Sequence, residues 1–230
     1  MRTKRYSLIL AFLGLCAPAA AAPITVPTGL NPGDEYRLAF VTSEQRNGAS
    51  PDIASYNRFV TDVANTQPAL ASLGTTWKAI GSTATVDARD NTGTNPDVDG
   101  AGVPIFLLDD TLLANDNFDL WDGSILVPLA IDEGGTAIQQ SFVFTGTTSS
   151  GVARGPLALG AGVDSDVGIG STGFASSSWV DGADLFKFLQ RPVYAMSDVL
   201  VVVPEPSTAS LLALGLVGLG MRRRRASPGV

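Results

Sequence analysis

Thirteen consecutive residues, Ala209 to Met221, contain only one clearly polar side chain, Ser210, and the run is closed by four arginines, Arg222–Arg225. This feature limits the fold more than any other. A helix of that length spans about 20 Å, whereas a hydrocarbon core about 30 Å thick usually takes about 20 apolar residues. The arginines tip the balance. Adjacent cations act as a stop-transfer signal and stay cytoplasmic while the rest of the chain is exported, and their stems can snorkel to lengthen the span. We therefore expect a transmembrane helix at about 208–221, with 226–230 as a cytoplasmic tail. The competing reading is a buried C-terminal helix with a solvated basic end.

The opposite end carries a matching address. Arg2, Lys4 and Arg5 precede an apolar stretch, Leu8–Leu15, and then a small-residue tract with Ala17 and Ala19–Ala22. That is the layout of a secretory signal peptide over 1–21, cut by signal peptidase between Ala21 and Ala22. An uncleaved anchor is the other reading, and the apolar run is short for one. Cys16 falls inside the segment behind Leu15, so a lipid-attachment site is not expected. The mature chain would then hold no cysteine, and so no disulfide or thiolate site.

Between the two ends lies an ectodomain, 22–202, long enough for one domain with a core of its own. It holds eight basic and 21 acidic residues, a net charge of −13. Such a surface argues against nucleic acid as a partner. It suits solubility or cation binding.

The residues joining this body to the apolar run are distinctive. Pro204 and Pro206 cannot donate backbone hydrogen bonds and push their predecessors toward extended geometry, so an exposed stalk is expected. Val203-Pro204-Glu205-Pro206, then the apolar run, then Arg222, Arg223, Arg224 and Arg225, closely resembles the PEP-CTERM sorting signal of Gram-negative, biofilm-forming bacteria. The resemblance implies recognition by an exosortase. It also implies an inner-membrane intermediate followed by release or transfer to the cell surface. Val203, Pro204, Glu205 and Pro206 would be a substrate motif rather than catalytic groups.

Within the body, Glu35–Thr42 reads as a strand with Tyr36, Leu38, Phe40 and Thr42 on one face. The best helix follows Ser50-Pro51-Asp52, with Ser50 as expected cap, Pro51 in the first turn, and Ile53, Tyr56, Phe59, Val60 and Val63 as an apolar stripe. A shorter helix over Pro68–Leu73 would stop at Gly74. Strands are expected in "VPIFLLDD", "SILVPLAID", "QSFVFTG" and "VYAMSDVLVVV", and mostly loops from Gly146 to Ser178. The fold class expected is α+β, with one or two N-terminal helices and a loop-rich antiparallel β half. This order of elements, with Leu120-Trp121-Asp122-Gly123 and Phe144-Thr145-Gly146-Thr147, resembles C-type-lectin-like or endostatin-like domains of secreted bacterial proteins. The resemblance implies a last strand that returns beside the first. The chain departs from it where cysteines are expected, at Tyr56-Asn57 and Tyr194-Ala195, and it lacks the sugar-binding signatures. Trp77, Trp121 and Trp179 are expected to fill the core.

No histidine occurs anywhere in the chain, which removes histidine-based triads and the commonest metal ligand. The adjacent pairs Asp109-Asp110 and Asp132-Glu133 could in principle serve glycoside cleavage, but read more simply as solvated turns. Calcium is the more natural chemistry for clustered oxygens. Asn95, Asp97 and Asp99 with Gly100, the pair Asp164 and Asp166, and the set Asp116, Asp119 and Asp122 are the candidate loops. The expected function is an exported, membrane-anchored surface or matrix protein, non-enzymatic, acting in adhesion or scaffolding with exopolysaccharide. A secreted, carboxylate-dependent polysaccharide hydrolase is the alternative.

Overall fold

The strand expected over Glu35–Thr42 is the centre of the molecule, and both its faces are buried rather than one. In the computed structural model, which describes residues 22–161 and 166–203, this strand is β1 (Glu35–Val41), buried at every position after Glu35. One-sided alternation fails because packing covers the sheet on both sides.

Downstream of β1, α1 (Ile53–Asn65) presents the expected stripe, with Tyr56, Val60 and Val63 buried and Ile53 and Phe59 packed against them. Its cap is Asp52 rather than Ser50: the Asp52 carboxylate accepts from Ala54 N at 3.0 Å. Ser50 Oγ instead accepts from Asp52 N at 3.2 Å, which turns the chain one step earlier and leaves Pro51 outside the helix. Helix α2 (Pro68–Ala71) follows, and Gly74 takes the left-handed conformation with φ 59°.

Strand β2 (Trp77–Ala79), short helices α3 (Ala88–Thr92) and α4 (Pro96–Asp99), and strands β3 (Ile105–Leu107) and β4 (Leu112–Ala114) come next. After α5 (Asn117–Leu120) the chain forms β5 (Phe142–Phe144), β6 (Asp166–Ser171), β7 (Ala183–Phe186), β8 (Tyr194–Ser197) and β9 (Leu200–Val201). The larger sheet runs β2-β8-β1-β3-β4, with β9 also on β1. Its β1–β3 pair is parallel, Leu38 opposite Phe106, so the sheet is mixed rather than antiparallel. Strands β8 and β9 run antiparallel to β1, with Phe40 opposite Ala195 and Glu35 opposite Val201. The last strand therefore returns beside the first, as expected.

The outer edge of β2 is closed by side chains. Thr61 donates to Trp77 O at 3.0 Å, Asn57 Oδ1 accepts from Ala79 N at 2.8 Å, and Asn91 donates to Ala79 O at 2.8 Å. Helices α1 and α3 thus satisfy an edge that would otherwise offer itself to another strand.

The second sheet, β5-β6-β7, is antiparallel. Strand β6 lies inside the stretch expected to be loops. Gly168 and Gly170 hide its strand character in the sequence, yet closeness demands them: a Cβ on Gly170 would fall 1.9 Å from Trp179 O. Conversely, "SILVPLAID" forms no strand. Pro128 interrupts it, and it touches β1 only through a bridge between Val41 and Asp132. "VYAMSDVLVVV" splits into β8 and β9 around Asp198-Val199. All three tryptophans are core. Trp121, Trp179 and Tyr194 stack in series with centroids 5.8 Å apart at each step, joining the two sheets.

Among the described residues no helix is long and apolar enough to cross a membrane. The expected transmembrane helix at about 208–221 and the signal peptide, 1–21, lie outside the described residues.

Candidate functional site

The body hands over to the sorting tail at one corner of the larger sheet. Val202 is buried, its N–H donates to Asp34 O at 2.9 Å, and its carbonyl accepts from Gly33 N at 2.9 Å. Val203 is 74% exposed and is the last described residue. The fold therefore holds the chain through Val202. A groove of about 530 Å³ opens beside this exit, lined by Tyr36, Leu73, Gly74, Leu200 and Val201 among others. Of the expected motif, Val203 sits at the exit, while Pro204, Glu205, Pro206 and Arg222–Arg225 lie outside the described residues. At the other end, Ala21 lies outside them and Ala22 is exposed.

Most of the described calcium candidates make local hydrogen bonds or an ion pair. Asn95 caps α4 by accepting from Asp97 N at 3.0 Å, and Asp99 accepts from Asn95 N at 2.9 Å. Asp97 pairs with Arg89 at 3.3 Å. Asp116 caps α5 through Asp119 N at 2.9 Å, and Asp119 accepts in return from Asn115 N at 2.6 Å. Asp122 accepts from Ser124 N at 3.0 Å. Asp166 opens β6, and Asp164 lies outside the described residues. Among the described residues no three acidic, histidine or cysteine side chains gather as a metal set. The same oxygen-rich spacing also serves short helix starts, at Asn95 and Asp116.

The adjacent carboxylate pairs also make local hydrogen bonds. Asp132 accepts from Gly134 N and Thr136 N at 2.9 and 2.8 Å, closing its own turn. Glu133 is not a solvated turn residue: it is 5% exposed and takes both the N–H and the hydroxyl of Ser43 just past β1. Asp110 accepts from Thr28 N at 2.7 Å and has φ 76°.

Two arginines, one buried and one half-buried, escaped the sequence reading. Arg37 donates to Ser197 O at 2.7 Å and to Gly93 O at 3.0 Å, and burial lowers its pKa, opposed by the charges of Asp198 and Asp99. Arg46 lies 3.8 Å above the Tyr56 ring and donates to Ser55 O at 2.6 Å. Burial pushes the Tyr56 phenol up to about 12, opposed by the Arg46 charge and a hydrogen bond to Ser50 O. A further surface feature was also missed. Phe142 and Phe174 are exposed and line a small cavity of about 190 Å³ with Ile169, Ser171, Ser178 and Ala183. Phe186 and Phe188 form a second exposed pair, edge to face at 5.2 Å. Phenylalanines scattered through loop-like sequence carry no period that could have flagged them.

No curated protein matches the chain. Residues 202–225 match the PEP-CTERM protein-sorting motif, and so the chain carries the sorting signal of an exosortase substrate.

Proposed function

We propose that the body, 22–202, is non-enzymatic cargo that the tail delivers to the cell surface or matrix, where it acts in adhesion or scaffolding with exopolysaccharide. The observation that carries this reading is the coincidence of two boundaries. Among the described residues, the last one hydrogen-bonded into the domain, Val202, is also the first residue of the sorting motif. A protease can then reach the stalk without unfolding the body. The tail acts as a membrane anchor before processing, with Arg222–Arg225 on the cytoplasmic side.

The exposed phenylalanines around the small cavity support the adhesive part of the reading. Aromatic rings offer flat apolar area at low conformational cost, and Ser171 and Ser178 supply hydroxyls beside them. The purified body presented to a glycan array should retain polysaccharide without releasing sugars. Phe142→Ala with Phe174→Ala should lose that retention while keeping the far-ultraviolet circular dichroism spectrum. Released sugars would favour the hydrolase reading, and no retention of any glycan would remove the adhesive one.

A further inference from the structure

In and on either side of the last strand, β9, the exposed positions from 199 to 203 are all valine. Val199, Val201 and Val203 are 41%, 49% and 74% exposed, alternating with Leu200 and Val202, which face the core. Val26 adds a fourth exposed apolar side chain to the same groove. A cluster of this kind on an acidic, soluble body calls for a partner.

The covalent chain identifies which one. Only Pro204–Ser207 separate Val203 from the start of the apolar segment at about residue 208. Four residues reach at most about 14 Å even when fully extended. The headgroup region adds about 5–8 Å to each side of the hydrocarbon core. While the tail is in the bilayer, the exit corner cannot leave the headgroup layer by more than roughly one further molecular layer. Glu35, opposite Val201 in the ladder, and the Lys78–Asp198 ion pair at 3.4 Å are the charged groups flanking the stripe. A zwitterionic headgroup with an ammonium accommodates that rim better than an anionic one.

We propose that Val199, Val201, Val203 and Val26 form a membrane-docking face that seats the body against the headgroup layer of the bilayer holding its tail. This rests on the anchoring reading above. The face adds a second contact to the tail's span, and its high effective concentration comes from the short tether. It fixes the body's orientation, so the exosortase meets the stalk from one side only.

The test uses the full chain, carrying Cys16→Ser, in vesicles of phosphatidylethanolamine with one fifth phosphatidylglycerol. A fluorophore is placed by Val201→Cys, or as control by Gln45→Cys, exposed four residues past the opposite end of β1, a strand about 20 Å long. Headgroup-nitroxide lipid should quench the position-201 label at least threefold more than the position-45 label. Val199→Ser with Val203→Ser should bring the two labels to within a factor of about 1.5 while the chain still floats with vesicles. If the chain floats but both labels are quenched equally in the parent protein, the docking face is wrong and the anchor stands. If the chain fails to float, the anchoring reading falls and the face with it. Protection of the label before lipid is added, together with a dimeric mass, would assign the stripe to a second copy and overturn the proposal.

Discussion

At the level of single residues, the carboxylates do local work. Asp52, Asn95 and Asp116 each satisfy the free N–H groups of a helix start. Asp52→Ala should cost about 1 kcal/mol in urea unfolding, and Ser50→Ala less than about half of that, because only Asp52 caps the 13-residue helix. The aspartates were visible in the sequence, but their role was not, since cap spacing and calcium-loop spacing share the same short, oxygen-rich grammar. Asn57 is equally instructive. It stands where the lectin-like resemblance would look for a cysteine, and it ties α1 to the edge of β2 by hydrogen bonds instead of a covalent link. The tyrosines set the alkaline limit. Burial raises the pKa of Tyr36, Tyr56 and Tyr194, with Tyr56 at about 12 against an ordinary value of 10.0. The folded state therefore keeps phenolic protons that the unfolded chain releases. Stability from this source is level below about pH 10 and falls as pH rises through 12. At pH 10, absorbance at 295 nm should show a smaller tyrosinate fraction in the folded protein than in 8 M urea.

Among the elements, those with a strong period were legible and those shaped by contact were not. The stripe of α1 and the caps and stops around α2 follow from spacing and from Pro and Gly placement. Strand β1 was also found, although its double-sided burial was not, because a strand in mid-sheet with helix and loops over its faces loses the alternation that would announce one wet side. Strand β6 was missed because two of its six residues are glycines. Packing explains them: Gly170→Ala would force a methyl into the Trp179 carbonyl, a backbone atom that cannot rotate away. We expect a loss of about 3 kcal/mol and a Tm lower by on the order of 9 °C, read by calorimetry. A Gly29→Ala variant is the useful contrast, since nothing lies within 4 Å of the added carbon and only its φ of 85° resists.

For the whole molecule, the sequence told more about destination than about work. The C-terminal sorting motif was readable because export machinery responds to charge and hydropathy, which are written directly in the residues. The surface of the body was not, because its exposed phenylalanines are brought together only by the second sheet. In a host with the exosortase, Glu205→Ala should leave the precursor in the inner-membrane fraction. Intact mass of the parent protein should show both ends trimmed, and an unchanged processed mass in the variant would argue against the signal. The topology of the larger sheet has one more consequence. Its middle strand is among the first parts of the body to emerge during secretion, yet Arg37 must wait for Ser197, 160 residues later, to fill its hydrogen bonds. The larger sheet therefore closes only once β8 has been delivered, so the body completes its core late rather than as it emerges.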